Sequence, residues 1–371
     1  MDIKRIDEVE FLQLKEEWNT LLGRSSADNV FLRWEWMYTW WEIFKKQRTL
    51  FILTVRHEGR LVGVAPFYIE PAIFPMPRRL RFCSEELSPD YMDIIAERGQ
   101  EAGVLSGIVK FIRQCGREWD VIALDNLLEG SLLLSDLSLF SDYAVVKEAT
   151  HVCPYVKITG SFDEYYKARP ELVSFKLVKK LNKLRDQMNV VHRIIRDEDV
   201  LSKGIDDLFD LHEKRAGDKH MHSSFLSADI KRFHQDVSRL FLKEGLLNFH
   251  FLYSGDTPVT ARYGFIYKNK AYCYQNGFDP EWKKWSVGAV LTLLVIEQAF
   301  KDRLDEFDFL KGAESYKSLW SNGVREEMLL IIFNGSLRGS LCRKMADLKS
   351  ALRSAKHVVL HPSMRGPHPP A

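Results

Sequence analysis

The sequence predicts an α/β protein of two successive units, each a mixed sheet flanked by helices. Three observations lead there. A chain of 371 residues is too long for one compact core of typical size and suggests about two domains. Strand-like segments and amphipathic helical segments follow one another along its length. Phe51–Ile69 and Phe249–Tyr267 both read strand, glycine turn, strand, with small residues after the turn, which is a weak internal repeat.

The first unit spans residues 1–150. Asp7 to Leu22 reads as a helix with Phe11, Leu14, Trp18 and Leu22 on one face. Ser25-Ser26-Ala27-Asp28-Asn29 ends it. Trp34–Phe44 is a second helix, whose Trp36, Trp40 and Trp41 sit at core-like helical spacings. Leu50–Val55 and Leu61–Ile69 form a hairpin around Glu58-Gly59. Pro66, Pro71, Pro75 and Pro77 then interrupt regular structure. Tyr91–Ala96 and Val121–Leu124 read as strands on either side of a helix, Ala102–Cys115.

The second unit spans 151–335. Pro154–Ile158 reads as a strand, and Glu171–Met188 as a basic amphipathic helix with Lys176, Lys179, Lys180, Lys183 and Arg185. Val190–Ile195 is a strand; Ile205–Lys214 and Ile230–Lys243 are helices. Three strands follow, Phe249–Tyr253, Val259–Tyr267 and Ala271–Gln275. The turn-forming loop Asn276-Gly277-Phe278-Asp279-Pro280-Glu281 then leads into an apolar helix from Ser286 to about Phe300. Strands Glu306–Leu310 and Met328–Phe333 complete the unit. Residues 336–371 read as a basic helix, Leu341–Ala355, and a proline-rich disordered tail, His361–Ala371.

Bulk composition narrows the function. With 46% hydrophobic and 28% charged residues the chain reads as globular. A net charge of +2 argues against a dedicated nucleic-acid binder. The first eight residues carry acids and no apolar core, so they do not read as a signal peptide. No apolar run approaches the roughly 18 residues of a membrane helix. The five cysteines are scattered, with no C-x-x-C pair, and read as reduced core thiols of a cytoplasmic protein. His220-Met221-His222 has a spacing metals use, but no Cys or further His accompanies it, so no metal is expected.

The stretch from Asn248 to Trp320 organises the rest. Its strand, strand, strand, helix, strand, polar-cluster order sets a helix N-terminus beside a sheet, which suits a phosphate-bearing ligand. Gly277-Phe278-Asp279-Pro280, Ser286-x-Gly288, Asp308 and Gly312-x-Glu314-x-Tyr316-Lys317-x-x-Trp320 resemble the GNAT superfamily of acyl-CoA acyltransferases. More narrowly, they resemble the acetyltransferase-like family associated with cellulose and exopolysaccharide biosynthesis, related to Fem-type aminoacyl transferases. Leu211-His212-x-x-Arg215, Arg232-Phe233-His234, and Phe31 with Trp36, Trp40 and Trp41 extend the likeness over most of the chain. The superfamily's pyrophosphate loop usually reads Gln/Arg-x-x-Gly-x-Gly/Ala; here Lys283, Ser286 and Gly288 stand at those positions. The resemblance implies two tandem GNAT-like lobes, the second carrying the donor site. It implies acyl-CoA, such as acetyl-CoA, as donor and an amine as acceptor, on a sugar or envelope-polysaccharide precursor.

Acyl transfer from a thioester to an amine needs backbone N–H groups for the donor phosphates, a hydrogen-bond donor for the carbonyl oxygen, a base and an acid. Lys283, Ser286, Val287, Gly288 and Ala289 stand where a loop meets a helix N-terminus and are the candidate donor-binding residues; Ser286 also reads as a plain N-cap. Lys317 is the candidate oxyanion or phosphate donor and Tyr316 the candidate acid. Asp308, alternating with two Phe on its strand, and Glu314 are candidate bases. His212 and Arg215, on one helix face, and Arg262 are candidates for an anionic acceptor. Two other functions fit the pattern: a Fem-type transferase using aminoacyl-tRNA, and a non-catalytic twin-lobed partner of polysaccharide synthesis.

Overall fold

The structure is a computed structural model that describes residues 1–73, 76–218, 225 and 227–360, with 218 and 349–360 described by backbone alone. The His220-Met221-His222 element and the tail from His361 lie outside the described residues. The first half contains β1 (Asp2–Arg5), α1 (Glu8–Gln13), α2 (Lys15–Leu22), α3 (Trp34–Phe44), β2 (Thr49–His57), β3 (Arg60–Glu70), β4 (Arg79–Phe82), β5 (Ile95–Ala96), α4 (Glu101–Gln114), β6 (Val121–Leu128) and α5 (Leu132–Ser135). Strand β7 (Ala144–Lys157) follows. The second half contains α6 (Phe162–Lys167), α7 (Pro170–Ser174), α8 (Leu177–Met188), β8 (Val190–Ile194), α9 (Glu198–Asp218), α10 (Ala228–Lys243), β9 (Leu247–Ser254), β10 (Thr257–Tyr267) and β11 (Lys270–Phe278). It ends with α11 (Val287–Lys301), β12 (Glu306–Asp308), α12 (Ser315–Trp320), β13 (Gly323–Phe333) and α13 (Leu337–Leu360).

Among the described residues all thirteen strands join one mixed sheet, in the order β1-β2-β3-β4-β6-β13-β7-β12-β11-β10-β9-β8, with β5 beside β3. The two halves are thus continuous. The expected hairpins are β2–β3 and β9–β10, both antiparallel. Glu58 and Gly59 in the first turn have φ of 50° and 80°, where glycine relieves the strain. The proposed boundary between Thr150 and His151 falls inside β7, a 14-residue strand paired with β13 along most of its length. Strand β13, late in sequence, lies between β6 and β7 and is antiparallel to both.

Several local expectations change. Tyr91–Ala96 is mostly loop, because Tyr91 adopts a left-handed φ of 60°, and only Ile95–Ala96 pairs in the sheet. The helix expected over Glu171–Met188 breaks at Lys176, whose φ is 52°. Asn276-Gly277-Phe278 continues β11 rather than forming a loop. Gly277 permits this: a Cβ there would lie 2.8 Å from Leu211 Cβ and 2.9 Å from His212 N, so only glycine lets α9 sit this close to the strand.

Two apolar clusters cement the layers. One runs from the N-terminal helices through β2 and β3 to α9 and α10; the other lies under α8 and α11. Trp36, Trp40 and Trp41 are buried in the first. Trp36 packs edge-on against Phe233 at 4.8 Å between ring centroids, joining an N-terminal helix to α10 across the halves.

Candidate active site

The site begins with a fork in the sheet. Strands β11 and β12 run parallel but pair only over Lys270–Tyr272 and Glu306–Asp308. Beyond that point β11 stays with β10 as far as Phe278. The chain after β12 instead stays with β7, Phe309 donating to Pro154 O at 3.0 Å and Gly312 to Val152 O at 2.9 Å. A gap must therefore open between the carboxyl ends of two parallel strands, the usual ligand position in open α/β sheets. A cavity of about 290 Å³ occupies it.

The fork's lining comes from three directions. Strand β11 gives Cys273 to Asn276, the segment after β12 gives Leu310, Lys311, Glu314, Tyr316 and Lys317, and α9 gives His212 and Arg215. Ser88 and Asp90 reach in from the first half. The structure thus brings together Lys317, Tyr316, Glu314, His212 and Arg215 from the sequence candidates.

Lys317 is buried. Its ammonium donates to Leu310 O at 3.2 Å and Lys311 O at 2.6 Å and pairs with Glu314 at 3.1 Å. Gly312, at φ 130°, makes room for this: a Cβ would come within 2.1 Å of Glu314 Oε2 and 2.8 Å of Lys317 Nζ. Burial pushes the Tyr316 hydroxyl up to about 12, opposed by the Arg262 guanidinium, so it carries its proton at neutral pH. Burial, with Arg215 adding to it, lowers His212 below its ordinary value and keeps the imidazole neutral. Arg215 donates to Asn276 O at 3.2 Å and to the Asn276 side chain, fixing the helix to the strand end.

Arg262 lies behind this wall. It is buried, donates to Cys273 Sγ at 2.8 Å and to Thr292 Oγ1 at 2.7 Å, and neighbours Tyr316. No carboxylate pairs with it among the described residues.

Asp308 belongs elsewhere. It does share a strand face opposite Phe307, but that face is interior, and Asp308 is fully buried. It accepts from Tyr91 Oη at 2.7 Å, Arg325 Nη1 at 2.8 Å and Leu310 N at 2.8 Å. Burial raises it to about 7 despite Arg325. It borders a second cavity, so its link to the fork runs through Leu310, a non-glycine residue at φ 58°.

The donor-binding candidates stand at the start of α11. Ser286 occupies the N-cap position in a left-handed conformation, φ 55°, and its side chain makes no cap hydrogen bond. Its Oγ instead accepts from Lys180 Nζ of α8 at 2.8 Å. Val287 is buried in the core, and a Cβ built on Gly288 meets no atom within 4 Å. Lys283 lies in the tight turn Pro280–Trp285 leading into the helix. These five residues line neither the fork nor the second cavity.

Sequence reading missed Asp90, Lys311 and Cys273 as site residues. Asp90 and Glu327 are both buried, and their ligand atoms and that of Cys153 lie within 4.8 Å of one another. Burial raises both carboxyls, and their proximity adds to this for Glu327. The signal for Asp90 is the acid-bearing turn Ser88-Pro89-Asp90, which lies just before the expected strand Tyr91–Ala96. Glu327 gave none, because its partner is 237 positions away in the chain and only the fold brings them together.

Residues 176–318 match the model of the acetyltransferase (GNAT) domain family. No curated protein matches the chain. Among solved structures the chain is similar to FemX, at 8% identity and a TM-score of 0.60, covering 89% of this chain and 97% of that one. It is also similar to the C-terminal domain of a putative lysylphosphatidylglycerol synthetase from Agrobacterium fabrum (9% identity, TM-score 0.54, 92% and 97% covered). A third is L-PGS from Bacillus licheniformis (8% identity, TM-score 0.53, 85% and 90% covered). At such identities the likeness is one of fold. The stretch that matches the GNAT domain family, residues 176–318, is the one that carries the fork between β11 and β12.

Proposed function

We propose that the protein moves an acyl group from acyl-CoA to an amine, with a sugar or envelope-polysaccharide precursor as the acceptor class. The acceptor class rests on the family resemblance alone. The observation that carries the reaction is the fork between β11 and β12, where Lys317, Tyr316, His212 and Arg215 meet. Coenzyme A would supply the acyl thioester. The start of α11 suits its phosphates: the first N–H groups of a 15-residue helix are free of helical partners, Gly288 leaves open space, and Lys180 stands beside Ser286.

Each remaining role falls to a residue of the fork. Lys317 offers an ammonium to a carbonyl oxygen that gains charge during attack. Tyr316, protonated at neutral pH, can donate to the departing sulfur. Glu314, exposed and paired with Lys317, can accept the amine proton. Arg215 and the neutral His212 can hold an anionic part of the acceptor. A thermal-shift series with acyl-CoAs tests the donor, since a ligand that binds only the folded state raises the melting temperature. No shift with any acyl-CoA would remove this reading.

A second reading replaces coenzyme A with aminoacyl-tRNA. The contact from Lys180 on the lysine-rich α8 to Ser286 favours it, because that contact sets a basic helix beside the donor end of α11. Filter binding with tRNA separates the two donors. A non-catalytic role would suit a fork filled by side chains, whereas about 290 Å³ of it is open.

A further inference from the structure

Helix α13 reverses the usual placement of apolar residues on a surface helix. In α4 the large apolar side chains Val104, Leu105, Ile108, Val109 and Ile112 are buried. In α13 the residues turned toward the body are small: Gly339 is buried, and Cys342 and Ala346 are half-buried. A Cβ on Gly339 would lie 2.3 Å from Asn334 O and 2.8 Å from Asp120 O, so the helix starts in close contact with the body. Leu337, Leu341, Met345 and Leu348 face the other way and are 93%, 53%, 55% and 63% exposed. Spacings of four, four and three residues set them in one stripe. In the sequence, Leu352, Ala355 and Val359 continue the same spacing.

A helix gains most of its stability by packing an apolar face, and among the described residues nothing covers this one. The charge on the same helix identifies what does. Its 24 residues hold six cations, Arg338, Arg343, Lys344, Lys349, Arg353 and Lys356. They hold one acid, Asp347, whose carboxylate stands 3.9 Å from Arg343. The helix alone thus exceeds the +2 net charge of the whole chain. By helical spacing Arg338 and Lys344 border the stripe on its two sides.

We propose that α13 docks the protein on an anionic membrane surface, with the apolar stripe among the lipid chains and the cations at the headgroups. An amphipathic helix with Lys and Arg on its polar face binds such a surface through both terms at once. It lies on the bilayer rather than crossing it, since among the described residues no helix is long and apolar enough to span. A second copy of the chain is a poorer occupant, because pairing two stripes sets the bordering cations of the two helices beside each other. Nucleic acid would use the cations and leave the stripe in water.

Co-sedimentation of the full chain with vesicles tests the proposal. Vesicles of phosphatidylcholine with about 30% phosphatidylglycerol should bind it, and phosphatidylcholine alone should bind it about tenfold or more weakly. Sodium chloride at about 0.5 M should weaken the binding. Leu341→Ser with Met345→Ser should weaken it about tenfold or more, and so should Arg338→Gln with Lys344→Gln. All four positions are exposed, so the melting temperature should stay at the wild-type value in both variants. Binding to neither vesicle, equal binding to both, or unchanged binding by the Leu341 and Met345 variant would overturn the proposal. A dimer of the free protein that this variant dissociates would assign the stripe to a second copy and overturn it as well. So would tRNA retention on filters that the Arg338 and Lys344 variant abolishes while vesicle binding stays intact. No donor or acceptor is present in these measurements, so their failure leaves the reading of the fork untouched.

Discussion

Asp308 and Lys317 hold the same residue from opposite sides. The Asp308 carboxylate accepts the Leu310 N–H at 2.8 Å, and the Lys317 ammonium donates to the Leu310 carbonyl at 3.2 Å. Leu310 sits between the two cavities in a left-handed conformation that a leucine rarely adopts. The carboxylate of one cavity and the lysine of the other are thereby set by a single peptide segment.

Lys317→Met should lower both stability and turnover. The substitution leaves the Leu310 and Lys311 carbonyls without their buried donor, a loss of about 1–3 kcal/mol. Under the proposed acyl transfer, removing the ammonium should also cost about a hundredfold in rate. Chemical denaturation and turnover on one preparation measure the two effects. A folded variant with full turnover would take Lys317 out of the reaction.

Gly288 offers a cleaner test of the donor end. It is helical, and a Cβ there meets nothing within 4 Å, so Gly288→Ala should stabilise by about 0.5–1 kcal/mol. Gly288→Glu should fold equally well and lose acyl-CoA affinity, because its carboxylate stands where phosphates would. Calorimetry with acetyl-CoA decides; unchanged affinity places the donor elsewhere.

Arg262→Met should reduce turnover without reducing stability. The guanidinium is buried against neutral partners, so its desolvation is offset by no carboxylate. Its loss frees Tyr316 from a neighbouring cation. A melting temperature far below wild type would show that the contacts to Cys273 and Thr292 matter more to folding than the charge costs.

Stability should depend on pH in two opposed ways. Asp308 is raised from 3.8 to about 7, so the folded state binds more protons between these values. Its contribution is full below 3.8 and is lost as pH rises through about 7. His234 and His250, depressed by burial from 6.5 to about 3, act the other way: their contribution is present above 6.5 and lost as pH falls. Urea midpoints across this range should fall less on the alkaline side in Asp308→Asn than in wild type. Parallel curves would show that Asp308 is ionised throughout.

Much of the fold was legible because it is local. The two hairpins, the apolar α11 and the polar cluster after β12 follow from period-2 and period-3.6 patterns and from glycine placement. The grouping of Lys317, Tyr316 and Glu314 needed no more than their closeness in sequence. Asp308 shows the limit. Alternation placed it opposite Phe307 correctly, but which face is interior depends on Tyr91 and Arg325, which arrive from distant segments. The second cavity was invisible for the same reason, since its walls come from segments up to about 300 residues apart.

Strand β13 carries a consequence for how the protein is made. It fills the slot between β6 and β7, yet it leaves the ribosome after every other strand. Until Phe333 has emerged, β6 and β7 each hold an open row of backbone donors and acceptors, and such edges recruit other chains. The N-terminal half therefore waits, incomplete, through the synthesis of about half the protein. Pairing across so long a separation closes slowly. A chain stopped before Gly323 would keep both edges permanently exposed and end in aggregates rather than as a smaller folded domain.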